Sequence, residues 1–133
     1  MAETNAINGG CLVLMAHGSK NANWLLPFQQ LAEGLKKDLG ENCVHLCYME
    51  FSSPTLEEMA QQLYTEGDRH VRLLPLFLAR GSHLCQDVPA QLAQLKTKFP
   101  DLAIDLLSPI GENPQFAELL HSVIKGYIRP SLT

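Results

Sequence analysis

The sequence predicts a single α/β unit in the order βαβαβαβα, built on a four-stranded parallel sheet with helices on both faces. Three observations carry this. Four apolar runs alternate along the chain with four stretches whose apolar residues recur at steps of three and four, the period of a helix. The apolar runs are near-continuous, as expected of strands covered on both sides. The chain has 133 residues, 46% of them apolar and 18% charged, which suits one cored domain and disfavours disorder, collagen and coiled coil.

Each element has its own justification. Cys11–Ala16 (CLVLMA) reads as the first strand. Trp24, Phe28, Leu31, Leu35 and Leu39 then mark one face of a helix over Trp24–Leu39, and Gly40 stops it. The second strand is Cys43–Phe51, with its chemistry ending at Glu50. Ser53 and Pro54 are expected to open the second helix as cap and first-turn proline. Leu56, Met59, Ala60, Leu63 and Tyr64 form its inner stripe, and Gly67 ends it. The third strand is Val71–Ala79, in which Pro75 disturbs regular pairing. Asp87 and Pro89 start a third helix with Val88, Leu92, Leu95 and Phe99 on its inner face. Leu102–Leu107 is the fourth strand. Asn113-Pro114 begins the last helix, whose core stripe is Phe116, Leu119, Leu120, Val123, Ile124 and Tyr127, and Pro130 ends it. No linker or repeat divides the chain, so residues 1–133 form one domain, with residues 1–10 as a flexible N-terminus.

Right-handed crossovers between parallel strands give a flavodoxin-like sheet in the order 2-1-3-4. In such sheets ligands bind beyond the carboxyl ends of the strands, where the winding reverses. Here that point lies between strands 1 and 3.

Several classes of function are disfavoured. Ten Lys+Arg against fourteen Asp+Glu leave a net charge of -4, without the basic surface of a nucleic-acid binder. The longest apolar runs fall far short of the roughly 20 residues that span a bilayer, and MAETNAINGG lacks the basic and apolar regions of a signal peptide. Four cysteines in a chain of this size read as reduced thiols of a cytoplasmic protein. Cys43 and Cys47 are spaced Cx3C with no second pair, which is not zinc spacing.

The residues beyond strands 1 and 3 are where chemistry concentrates. His17-Gly18-Ser19-Lys20 follows the first strand, and Arg80-Gly81-Ser82-His83 follows the third. Glu50, with Ser52 and Ser53 beyond it, lies at the end of the second. Thirty-three residues separate His17 from Glu50, and 33 separate Glu50 from His83, one βα unit each. All three are therefore expected at one height in the fold. Two imidazoles and a carboxylate suit a divalent metal such as Fe, Co, Ni or Zn, and equally suit acid–base chemistry near neutral pH. Glu50 is a ligand, a base or a helix cap on this reading. Gly18 and Gly81 belong to no GxGxxG or GxxxxGK[ST] pattern, and no GxSxG elbow exists. Pairing Cys85 with His83 as nucleophile and base leaves no third, orienting group.

LVLMAHGSK, CYMEFSSPTLEE and LLPLFLARGSHLCQDVP together resemble the short CbiX-type tetrapyrrole chelatases, the class II enzymes that act on sirohydrochlorin. HGS alone is weak; its combination with PLFL-x2-G-x-H-x3-D-[IV]-P is specific. The resemblance implies that His17 and His83 hold the incoming metal and that Glu50 assists. It implies Co2+, Fe2+ or Ni2+ as substrate rather than prosthetic group, an ATP-independent reaction, and a product used in siroheme or cobalamin biosynthesis. Long members fuse two such units, which implies a homodimer here, with the cleft between or beside the subunits. Sirohydrochlorin is edged by carboxylates. Lys20 and Arg80 supply local positive charge, and Ser19, Ser52, Gly81 and Ser82 complete the expected substrate-binding set. Arg80 enters by its position, not by the family motif. The competing readings are a metal or tetrapyrrole carrier that keeps the fold without catalysing insertion, and a metal-independent transferase or hydrolase.

Overall fold

Four parallel strands, β1 (Cys11–Ala16), β2 (Val44–Tyr48), β3 (His70–Pro75) and β4 (Ala103–Leu106), form one sheet in the order β2-β1-β3-β4. The computed structural model describes residues 10–128 and, for His83, the backbone only. The expected flexible N-terminus lies outside the described residues except for Gly10, which sits against the backbone carbonyl of His70. Pro130 likewise lies outside them. Register is uninterrupted across the sheet: Val13 pairs with His45 on one side and Leu73 on the other, and Val71 pairs with Ile104. The predicted topology is therefore the observed one.

Four helices connect and follow the strands: α1 (Leu26–Leu39), α2 (Leu56–Thr65), α3 (Val88–Lys98) and α4 (Pro114–Ile128). The main core packs α2 and α3 on one sheet face. It includes Val13, Met15, Cys47, Leu63, Leu73 and Val88, none more than 1% exposed. The opposite face carries a smaller cluster of Leu14, Ala32 and Val44, with Leu35 and Leu39 of α1 packed beside it.

Several boundaries differ from expectation. β2 stops at Tyr48, because the chain turns through Phe51, whose φ is +67°, outside any strand conformation. β3 stops at Pro75, which has no N–H to extend the ladder; Leu78 and Ala79 are exposed instead of strand core. α1 begins at Leu26 after a separate 3-10 turn, Ala22–Trp24, so Trp24 is 69% exposed and outside the core stripe. The cap of α2 is Thr55, not Ser53. Thr55 Oγ1 accepts the N–H of Glu58 at 3.1 Å, and Glu58 Oε1 accepts the N–H of Thr55 at 2.9 Å, a reciprocal box. α3 grows out of a π-helical turn, His83–Asp87. Asn113 does cap α4, its Oδ1 accepting the N–H of Gln115 at 2.8 Å. The expected core stripe of α4 is not buried: no residue of that helix is.

Candidate functional site

The ladder between β1 and β2 outlasts the strands. The Met49 N–H donates to the Ala16 carbonyl at 2.8 Å, and the Glu50 N–H donates to the His17 carbonyl at 3.1 Å. His17 and Glu50 thus emerge side by side at the carboxyl edge. Gly18 makes this approach possible. Its φ is +93°, and a Cβ there would collide with the Glu50 carbonyl.

The next residues clasp the same two loops. Ser19 N–H donates to Ser52 Oγ at 3.1 Å, and Ser52 Oγ–H donates back to the Ser19 carbonyl at 2.9 Å. Ser19 Oγ accepts the N–H of Asn21 at 2.9 Å. Ser53 Oγ–H donates to Glu58 at the head of α2. Ser19 and Ser52, read from sequence as substrate donors, therefore hold the loops together.

His17 is exposed, and its ring stacks on Phe77, centroids 4.1 Å apart and planes 23° from parallel. Phe77 is buried at 5% exposure. It reaches this position because the Leu76 N–H donates to the Met15 carbonyl at 2.9 Å, carrying the chain past Pro75 along β1. Lone pairs of imidazole nitrogens lie in the ring plane. A face-on stack fixes that plane and leaves both nitrogens open to a metal or proton.

On the far side of the switch point, the π-helical turn begins at His83. Leu84, 2% exposed, anchors it in the core, and the Cys85 N–H donates to the Gly81 carbonyl at 3.0 Å. Gly81 and Ser82 are exposed. The backbone of His83 opens a helical turn beyond β3 rather than lying within a loop. Among the described residues, no three His, Cys, Asp or Glu side chains form a cluster that could hold a metal ion.

The two expected cations are engaged. Arg80 Nε lies 2.9 Å from Glu112 Oε2, Nη2 lies 3.2 Å from Oε1, and Nη2 also donates to Ser108 at 3.4 Å. A substrate carboxylate at Arg80 would share it with Glu112. Lys20 Nζ stands 5.2 Å from the centre of the Phe51 ring, which is 62% exposed next to Glu50.

Phe77, Phe51 and Glu112 are site residues that sequence reasoning missed. Phe77 was hidden in an apolar run read as strand, although its place two residues beyond Pro75 is a signal that it lies at the carboxyl edge. Glu50 has no part in capping α2, since Thr55 and Glu58 fill that role.

Fold and edge together define an α/β protein whose candidate site is the carboxyl end of a parallel sheet, where a stacked histidine stands beside a glutamate. The CbiX family model matches residues 11–127, and the chain belongs to that family. The sirohydrochlorin cobaltochelatase of Sulfurisphaera tokodaii is 31% identical over 120 residues, 90% of this chain and 95% of that one. A cobalamin (vitamin B12) biosynthesis CbiX protein from Marinobacter aquaeolei superposes with a TM-score of 0.78 at 33% identity, covering 90% of this chain and 97% of the other. The sirohydrochlorin chelatase SirB from Bacillus subtilis subspecies spizizenii, solved in complex with cobalt, shares the fold with a TM-score of 0.75 at 22% identity. This chain spans 87% of itself in that match but only 50% of SirB.

Proposed function

We propose that the protein inserts a divalent metal, Co2+ or Fe2+ and by the same chemistry Ni2+, into sirohydrochlorin, as a chelatase of siroheme or cobalamin biosynthesis. The observation that carries the reading is His17, exposed at the switch point and oriented by Phe77, with Glu50 hydrogen-bonded beside it. Membership of the CbiX family supports it. The net reaction exchanges one M2+ for two pyrrole N–H protons. His17 and His83 replace water on the incoming metal, neutral imidazole being a good ligand for these ions. As the metal passes to the ring nitrogens, the freed imidazoles can take up the displaced protons. In this reading Glu50 accepts one of them or completes the metal shell. Ser19, Ser52, Gly81 and Ser82 line the approach, with Lys20 and Arg80 as cations for the ring carboxylates.

The reaction needs no prosthetic group and no nucleotide; the metal is substrate. We assign the protein to the cytoplasm, in keeping with its free thiols. Among the described residues no helix is long and apolar enough to cross a membrane. We read the working form as a homodimer. A turnover assay with sirohydrochlorin in large excess, followed by the change in macrocycle absorbance with each metal, tests the function. Conversion of many equivalents supports a chelatase. Saturation at one equivalent or less replaces it with a carrier.

A further inference from the structure

Beside His17 and Glu50, the carboxyl edge carries a side chain that the core does not use. Phe51 is 62% exposed and belongs to neither core cluster. Its φ is +67°, a conformation that glycine or asparagine adopts far more readily than a bulky residue. Strained positions of this kind gather where a side chain serves binding or chemistry. Phe51 is fixed from both sides. The Glu50 N–H donates to the His17 carbonyl at 3.1 Å, and Ser52 is clasped to Ser19. An aromatic ring is thus held exposed next to the candidate metal ligands, at a cost in backbone strain.

Its neighbours define the ligand that suits it. Lys20 Nζ stands over the ring, 5.2 Å from its centre, so a ligand lying on Phe51 meets an aromatic surface with a positive charge at its border. Leu78, one residue past the Phe77 on which His17 stacks, is 68% exposed. β2 and β3 flank β1, so the loops that carry Phe51 and Leu78 leave the sheet two strand spacings apart, about 10 Å. Apolar side chains on either side of His17 call for a ligand with a broad apolar face. Lys20 calls for one that is anionic at its edge.

We propose that Phe51 is a substrate-binding residue: its ring is the seat on which a flat, carboxylate-edged macrocycle rests, and Lys20, held at that ring, takes one of the edge carboxylates. This rests on the chelatase reading above and adds the group that sets the macrocycle beside His17 and Glu50. Stacking on Phe51 fixes the plane of the macrocycle, and the ammonium of Lys20 fixes its rotation within that plane. Neither contact changes as the metal replaces the pyrrole protons. The pair therefore acts on binding of the macrocycle, not on the chemical step.

Titration of metal-free sirohydrochlorin into the full chain, read by the fluorescence of the macrocycle, tests the inference. Phe51→Leu keeps an apolar side chain and is expected to weaken binding roughly two- to tenfold, the worth of one aromatic pair. Phe51→Trp restores a flat face and is expected to recover most of that loss. In turnover with Co2+ the loss is expected in KM rather than kcat. Phe51→Gly removes the strain together with the ring, so it is expected to melt no lower than wild type and yet to bind the macrocycle more weakly than Phe51→Leu. Lys20→Gln is expected to weaken binding and to flatten its dependence on salt. Wild-type affinity in Phe51→Leu and Phe51→Gly overturns the inference and leaves the chelatase reading. Equal losses in all three Phe51 variants, in step with a falling melting temperature, assign the residue to the fold and overturn the inference too. A wild-type chain that binds no sirohydrochlorin overturns both. A wild-type chain that binds it through Phe51 but inserts no metal counts against the chelatase alone.

Discussion

The amide of Glu50 donates its hydrogen to the carbonyl of His17 at 3.1 Å, two residues after β2 has ended. The backbone, not a side-chain contact, therefore sets the spacing of the two groups, and that spacing depends on Gly18. Gly18→Ala puts a methyl group against the Glu50 carbonyl and an L-residue at φ +93°. We expect a loss of about 2 kcal/mol or more in denaturant unfolding and a matching collapse of turnover. Gly81→Ala is the control. Nothing lies within 4 Å of a Cβ there, and its stability should stay near wild type.

Glu50 and Thr55 should separate cleanly. Thr55→Ala removes the side chain that holds the Glu58 N–H and should cost about 1 kcal/mol in thermal melting. Glu50→Gln should leave the melting temperature unchanged and slow insertion. If Glu50 accepts a proton, the affinity for Co2+ stays as it was. If it ligates, affinity falls with turnover. Unchanged turnover in Glu50→Gln removes Glu50 from the site.

What the sequence disclosed was local. β1 is legible to the residue because a continuous apolar run is bounded by Gly10 and His17. Asn113 is legible as a cap because side-chain capping acts over two or three residues. Strand order followed from alternation, and the neighbourhood of His17 and Glu50 from the one βα unit between them. Contacts across the fold were not legible. Arg80 finds Glu112 32 residues away. Phe77 meets His17 across two strands. The stripe of α4 announces an apolar face, but periodicity does not say whether that face meets its own sheet or another chain. That is why a stripe read as core is found exposed.

The thiols give a pH dependence with a definite sign. Burial, aided by the charge of Asp68, pushes Cys11 up from the ordinary 9.0 to about 12. Burial alone pushes Cys47 up to about 12. Folding thus favours the protonated thiols. Their contribution is complete below the unfolded value of 9.0 and is lost as pH rises from there toward 12, since the unfolded chain ionises first. Denaturant melts should show stability falling above pH 9, and a Cys11→Ala, Cys47→Ala double variant should show a shallower fall. At pH 8 an alkylating reagent should modify exposed Cys85 and spare Cys11 and Cys47.

The histidines give the most direct test of the metal path. His17→Ala should nearly abolish insertion while the fold survives, because the His17 ring is exposed and contributes to no core cluster. His83→Ala should do the same, since buried Leu84 anchors the turn that this position opens. Phe77 tests whether orientation matters apart from ligation. Phe77→Leu keeps an apolar side chain in the buried position and removes the flat face on which the imidazole rests. An aromatic pair is worth about 0.5–1.5 kcal/mol beyond its buried area, so losing it should weaken the hold on the metal by up to about tenfold. Phe77→Tyr restores a ring and should recover most of that loss, which a purely structural role for Phe77 would not require. Titration of Co2+ into the four variants, beside turnover and melting, reads all of this. Equal Co2+ affinity in Phe77→Leu and wild type would show that the stack does not orient a metal ligand.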